Sequence, residues 1–268
     1  MKIKLHSQYD HFPHYKPEGG EPYIEIYNDG RIWEAFVSQP HGECALLIEP
    51  RPLQPETYRM LETKYNRFRY IFTHDSQLLR IAPNALPICW WNEYDLNDEP
   101  KTKDISMICG SKNYCSLHNE RMKIAEELRG EIDVLGDIWG QPRVSFHDAY
   151  APYKFAVVIE NHADNGWFTE KLLNCFANKT VPIYFGGAAF ETYFDSTGVI
   201  KVQNVHSIPL VVRDLIDYGV HNTYQNLRVP IEINFQEVQK YISFEDWFVK
   251  NYGGLLDVEE IEHSDSCI

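Results

Sequence analysis

Two short polar clusters flank an apolar stretch in the middle of the chain. Glu160-Asn161 follows the run Phe155 to Ile159, and Thr169-Glu170-Lys171 opens a segment whose Leu172, Leu173 and Phe176 share one helical face. Two carboxylates, an amide, a hydroxyl and a primary amine at this spacing suit a polar ligand that carries negative charge. Val181 to Phe185 is a second apolar run, closed by Gly186-Gly187. Apolar strand, polar loop, helix and apolar strand read as a βαβ unit, whose strands are parallel and joined by a right-handed crossover. The carboxyl ends of both strands then lie on one edge of the sheet, with the helix N-terminus between them. Open α/β sheets bind ligands at that edge. The free N–H groups and partial positive charge of the helix start favour an anion.

The same pattern continues on both sides. In the first part, Lys2 to Leu5 alternates as a strand, and Asn28-Asp29-Gly30 makes a turn between the short elements Tyr23 to Tyr27 and Ile32 to Val37. Ala45 to Ile48 is a buried strand that runs into Glu49-Pro50, and Pro55 to Tyr65 has helical spacing. Tyr70-Ile71-Phe72 is a strand ending in Thr73-His74-Asp75-Ser76, with Asp75 or Ser76 placed to cap the following helix, and Ala85 to Trp90 is a third apolar segment. Asn92 to Lys103 is polar, contains a proline and reads as a linker. Beyond it come a strand at Ile105 to Cys109, a helix at Asn119 to Arg129, and a strand at Ile132 to Leu135. After the βαβ unit follow a strand at Gly198 to Val202, a helix at Ile208 to Tyr218, and two terminal helices at Phe235 to Ile242 and Phe244 to Tyr252. The acidic end, from Asp257, reads as loose. Strands alternating with helices in both halves predict an α/β protein of two doubly wound, Rossmann-like domains facing a cleft. The expected division is 1–100, 101–234 and a C-terminal segment 235–268.

Composition narrows the function. The 268 residues are 44% hydrophobic and 14% aromatic, enough for a sizeable core, and carry a net charge of −14. So acidic a chain is a poor general binder of nucleic acid or anionic membrane. A charged ligand must therefore be met by locally clustered cations, and Lys171 and Arg121 are the candidates. No stretch approaches the length of a membrane span, and the start, MKIKLHSQYDHF, lacks the apolar core of a signal peptide. Cys44, Cys89, Cys109, Cys115, Cys175 and Cys267 are scattered, several in apolar runs, and read as free thiols in a reducing compartment. No Asp-x-Asp occurs, and neither the cysteines nor the eleven histidines have metal-ligand spacing. Asn178-Lys179-Thr180 is a chance sequon at a helix end.

The run Glu160-Asn161, Gly166-Trp167, Thr169-Glu170-Lys171, then Val181-Pro182-Ile183-Tyr184 and Gly186, resembles the donor-binding signature of glycosyltransferase family 10. That family comprises the α-1,3/4-fucosyltransferases, which use GDP-fucose. The resemblance implies a GT-B arrangement, with the donor in the C-terminal domain and a C-terminal helix returning to the first. It implies an inverting, metal-independent transfer of L-fucose to a glycan hydroxyl, with no cofactor besides the GDP-fucose substrate. Arg121 matches the family's helix arginine and Lys171 the lysine of its Thr-Glu-Lys, both on the diphosphate. Glu170 would serve the nucleoside, and Trp167 stands where the family usually has tyrosine. Glu160 and Asn161 would orient the loop or the fucose, although Asn161 equally suits a backbone cap. The catalytic base would come from the other domain. Glu49 follows a buried strand as the family's proposed catalytic glutamate does, but here Glu-Pro stands in place of Glu-Ser-Pro. Asp75 and His74 are the alternatives. Nothing in the residues themselves reads guanine or a 6-deoxy sugar, so another nucleotide-sugar donor, or an inactive glycan-binding relative, stays open. Without an anchor or stem, the resemblance places such an enzyme in the cytoplasm.

Overall fold

Most of the apolar runs become strands flanked by helices that cover them. In a computed structural model, residues 1–38, 43–88 and 96–258 are described. Cys89, Cys267, the stretch 92–95 of the expected linker and the end of the acidic tail lie outside them. The chain divides into two units, Met1–Trp90 with Ser243–Ile268, and Trp91–Ile242. Among the described residues, each contains a five-stranded, all-parallel sheet. The fold is thus α/β with two Rossmann-like units, the GT-B-like class.

The first unit runs β1 (Lys2–His6), β2 (Tyr23–Asn28), α1 (Ile32–Ser38), β3 (Cys44–Leu46), α2 (Pro55–Lys64), β4 (Tyr70–Thr73), α3 (Ser76–Ile81) and β5 (Ala85–Pro87). Its strands lie in sequence order, β1-β2-β3-β4-β5. Strand residues alternate between faces. Tyr27, Ala45 and Ile71 pack with Ile32 and Ala35 of α1, Tyr58 and Leu61 of α2, and Leu78 of α3. The segment Ile32 to Val37 is therefore helical: it buries Ile32 and Ala35 and leaves Val37 83% exposed.

The second unit runs β6 (Lys103–Ile108), α4 (Ser116–Glu127), β7 (Asp133–Leu135), α5 (Phe146–Tyr150), β8 (Tyr153–Ile159), α6 (Glu170–Ala177), β9 (Val181–Phe185), β10 (Ile200–Lys201), α7 (Ile208–Tyr218), α8 (Val220–Asn226) and α9 (Arg228–Val238). The strand order is β10-β9-β8-β6-β7. Ile105, Met107, Phe155, Val157 and Ile183 pack against α4, α7 and α8. On the other face, Ser106 hydrogen-bonds the carbonyl of Ala149 in α5 at 2.6 Å. The chain reverses its direction across the sheet after β7, so the carboxyl ends of β6 and β8 form a topological switch point. The segment preceding β6 is pinned to this unit. Asn97 donates its N–H to the carbonyl of Ala177 at 2.9 Å. The Lys101 ammonium reaches the Ala151 carbonyl at 2.8 Å and the Thr180 hydroxyl at 3.1 Å.

The last helix, α10 (Phe244–Leu256), belongs to the first unit and covers the sheet face that α1, α2 and α3 leave open. Phe248 meets Phe72 of β4 edge-on with ring centroids 4.6 Å apart, and Phe12 at 5.1 Å. Ser243 caps the helix by accepting the N–H of Asp246. Among the described residues no helix is long and apolar enough to cross a membrane.

Candidate nucleotide-sugar site

The site begins where β8 ends. Ile159 pairs with Phe185 in register, and the N–H of Glu160 donates to the Phe185 carbonyl at 2.9 Å, so Glu160 lies beside Gly186. The Glu160 side chain is fully buried. A carboxylate removed from water must be hydrogen-bonded or paired. Glu160 Oε1 accepts the Thr169 N–H at 2.9 Å, and its two oxygens accept the Thr169 hydroxyl at 3.0 and 2.8 Å. Lys171 Nζ stands 3.6 Å from Oε2. Burial pushes the Glu160 carboxyl up from its ordinary range, against the pull of Lys171. Glu160 therefore braces the start of α6 from below.

Thr169 caps α6, its hydroxyl accepting the N–H of Lys171 at 3.4 Å. Glu170 and Lys171 occupy the first turn, with side chains 16% and 19% exposed. Lys171 Nζ contacts Glu170 Oε1 at 2.9 Å and the Thr169 hydroxyl at 3.1 Å. Burial opposes the Lys171 charge, but Glu170 and Glu160 outweigh it and hold the ammonium above its usual range. Conversely, burial works against the Glu170 carboxylate, and Lys171 keeps it below its ordinary value. This first turn thus presents a charged acid and a charged amine at the rim.

The loop from β8 to α6 closes over the two glycines after β9. Gly187 donates its N–H to the Trp167 carbonyl at 2.9 Å, and Ala189 to Asn165 at 2.8 Å. A Cβ on Gly187 would lie 2.1 Å from the Asp164 carbonyl oxygen and 2.4 Å from that of Trp167. On Gly186 it would lie 2.6 Å from Glu160 Cγ. Trp167 is only 3% exposed, so its ring sits in the interior under the loop.

Across the switch point, α4 contributes a second cation. Arg121 Nη2 donates to the Ile159 carbonyl and, at 2.8 Å, to Asn161 Oδ1. The Asn161 carbonyl in turn accepts from the Cys115 thiol at 3.4 Å. Buried His118 lies one turn before Arg121, and its Nδ1 accepts the backbone N–H of Tyr114 at 3.1 Å. The structure thus gathers Arg121, Glu160, Asn161, Thr169, Glu170 and Lys171 along the carboxyl edge of one sheet. Residues 99–225, which contain every one of them, match the family described as glycosyltransferase family 10 (fucosyltransferase) C-term. The matched residues lie within the second unit.

Solved structures agree at the level of fold. The chain is similar to an alpha1,3-fucosyltransferase with GDP, with a TM-score of 0.55 and 13% identity, over 90% of this chain and 83% of that one. The same enzyme type with GDP-fucose gives 0.52 and 14%, over 90% and 80%. The pneumococcal O-GlcNAc transferase GtfA in complex with UDP and GlcNAc gives 0.53 and 10%, over 88% and 56%. No curated protein matches in sequence.

The base candidates named from the sequence lie outside the matched residues, in the first unit. Glu49 follows β3 and is half-buried. Its N–H and that of Ile48 both donate to Asp29 Oδ1, at 3.0 and 2.9 Å, and its carbonyl accepts the Tyr58 hydroxyl at 2.8 Å. Asp75 is committed elsewhere. Arg51 grips both of its oxygens, Nε to Oδ2 at 3.0 Å and Nη2 to Oδ1 at 2.8 Å, and Oδ1 caps α3 through the Leu78 N–H at 2.7 Å. His74 is buried, with Nε2 3.4 Å from the Tyr58 hydroxyl. Asp29 and His118 were not singled out from the sequence. Asp29 sits in a turn tripeptide that needs no other explanation. His118 is one histidine among many, and only its i, i+3 relation to Arg121 hints at a shared face.

Among the described residues no group of three or more His, Cys, Asp or Glu is placed to hold a metal ion. Cys44, Cys109, Cys115 and Cys175 are buried free thiols.

Proposed function

We propose that the protein is an inverting glycosyltransferase that moves L-fucose from GDP-fucose to a hydroxyl of a glycan. The observation that supports this most is the family 10 match spanning residues 99–225, with a Glu170–Lys171 pair on the first turn of α6 inside it. In this reading Lys171 releases Glu170 and turns to the diphosphate. Arg121, a planar donor suited to two oxygens, supports it from α4. Glu170, once released, accepts hydrogen bonds from the ribose hydroxyls, as acidic residues do in other nucleotide sites. Thr169, Glu160 and Trp167 hold the loop that frames the sugar, and Asn161 donates to the ligand from the end of β8. The two cations and the N-terminus of α6 stabilise the charge that grows on the leaving diphosphate. They fill the part a metal takes in other transferases, so no metal or cofactor is required. Glu49 accepts the proton of the attacking hydroxyl. A reducing, cytoplasmic setting fits the buried free thiols.

A second reading keeps the chemistry and changes the donor. The likeness in fold to a transferase solved in complex with UDP is what supports this second reading.

The catalytic assignment is tested by Glu49→Gln. General-base catalysis contributes roughly 100- to 10,000-fold. Turnover of GDP-fucose, measured with a panel of glycan acceptors, should fall by at least about 100-fold, while GDP affinity measured by calorimetry stays unchanged. Turnover near that of the unmodified protein would remove Glu49 from the reaction.

A further inference from the structure

Proton transfer to Glu49 requires an acceptor sugar held against the first unit, and no residue assigned so far holds it. The carboxyl edge of the first sheet, where open α/β sheets bind ligands, offers one. β2 and β3 are neighbours, so the helices that follow them, α1 and α2, begin side by side at that edge. Glu49 lies in the connection from β3 to α2, Trp33 in the first turn of α1 and Thr57 in the first turn of α2. The Trp33 indole N–H donates to the Thr57 hydroxyl at 3.1 Å and so bridges the two helix starts. Thr57 is buried, and its own hydroxyl donates to Gln54 Oε1 at 3.4 Å, which leaves a lone pair for the indole. Phe36 meets the Trp33 ring edge-on, with ring centroids 6.0 Å apart. The one polar atom of the indole is thus satisfied and the ring is held in place, yet Trp33 stays 39% exposed.

The same two helix starts hold Glu49. Asp29, just ahead of α1, accepts the Glu49 N–H at 3.0 Å, and Tyr58, next to Thr57, donates its hydroxyl to the Glu49 carbonyl at 2.8 Å. Indole and carboxylate therefore stand on one scaffold. A fixed aromatic surface with no polar atom to spare, close to a group that takes a proton from a hydroxyl, suits a pyranose. Such a sugar carries C–H groups on a ring face and hydroxyls around its rim, and the electron-rich face of an aromatic ring attracts the weakly positive C–H groups. We propose that Trp33 is the platform for the acceptor sugar, packing against a pyranose face free of axial oxygens while Glu49 meets the attacking hydroxyl. This role rests on the reading of the protein as a glycosyltransferase with Glu49 as its base.

Two measurements test it. Proton–nitrogen NMR of the full chain resolves the indole N–H signals, and Trp33→Phe identifies the one that belongs to Trp33. Methyl β-D-galactopyranoside has one face that carries only C–H groups, whereas methyl α-D-mannopyranoside has an axial oxygen on each face. The galactoside should shift the Trp33 signal saturably and bind at least about fivefold more tightly than the mannoside. Glu49→Gln should keep this response. In turnover of GDP-fucose with a β-galactoside-bearing acceptor, Trp33→Leu should raise the acceptor KM about tenfold, the scale of one lost aromatic contact, and leave the KM for GDP-fucose within about twofold. Trp33→Phe keeps an aromatic face without the tether to Thr57, and its acceptor KM should stay within about threefold. A Trp33 signal indifferent to the galactoside, or equally responsive to both glycosides, would overturn the proposal. So would an unchanged acceptor KM in Trp33→Leu, or equal losses in the leucine and phenylalanine variants. Failure to turn over GDP-fucose would count against the functional reading, and the NMR titration would still decide the role of Trp33.

Discussion

Residues of one chemical type divide their labour here by burial. Glu160 and Glu170 both touch Lys171, yet the first is sealed beneath α6 and the second reaches the rim. A ligand can compete for Glu170 and for the outward side of Lys171, whereas Glu160 has no path to solvent. The same division separates Glu49 from Asp29 in the first unit. Asp29 sits at a left-handed φ of 47° and ties down the backbone on which Glu49 stands. Burial pushes its carboxyl up to about 7, against the pull of the N–H groups it accepts. The consequence for stability has a definite sign. Below about pH 4 Asp29 is neutral in both folded and unfolded chains. Between there and its folded value only the unfolded chain ionises, so the folded state loses up to about 1.4 kcal/mol per pH unit. Asp29→Asn removes that loss while leaving an oxygen for the two N–H groups. Urea midpoints at a series of pH values should show the variant gaining on the unmodified protein as pH rises from 5 to 7, then levelling off by pH 8. A gap independent of pH would mean that the Asp29 carboxyl titrates as it does in the unfolded chain.

At the scale of elements, the site is a loop clamped between a strand end and a glycine pair. Gly187 has backbone oxygens, not flexible side chains, where a Cβ would go. The clash cannot be relieved by a rotamer change, and so the loop must lift. Gly187→Ala should destabilise the protein by roughly 1–3 kcal/mol, and nucleotide affinity should fall with it. A variant that melts with the unmodified protein and binds as well would show the loop to be free of this clamp. The same unit explains what was legible beforehand. β8, α6 and β9 were readable because both strands are buried on both faces and so appear as unbroken apolar runs with polar residues only at their ends. The type of α1 was not, because its seven residues carry too few turns for a period to show. Glu160 and Thr169 were legible as members of a motif, but their mutual hydrogen bonds were not, since those depend on how the loop folds back.

For the whole molecule, the two units are built on different strand orders. The second reverses direction and so acquires a switch point, while the first proceeds in sequence and uses α10 to cover its open face. The chain thus returns to its beginning: Phe248 is as much a core residue of the first unit as Phe72. The fold is similar to that of transferases solved with GDP and with UDP, and the family 10 match lies in the second unit. The central claim is therefore that this unit binds a guanosine diphosphate sugar through the first turn of α6. Calorimetric titration of the full chain with GDP and with UDP, repeated on Lys171→Ala, tests it most directly. The account predicts binding of GDP well above that of UDP, and a loss of about tenfold or more on removing the ammonium, as expected for a charge-assisted contact. Preference for UDP, or a GDP affinity that ignores Lys171→Ala, would contradict it.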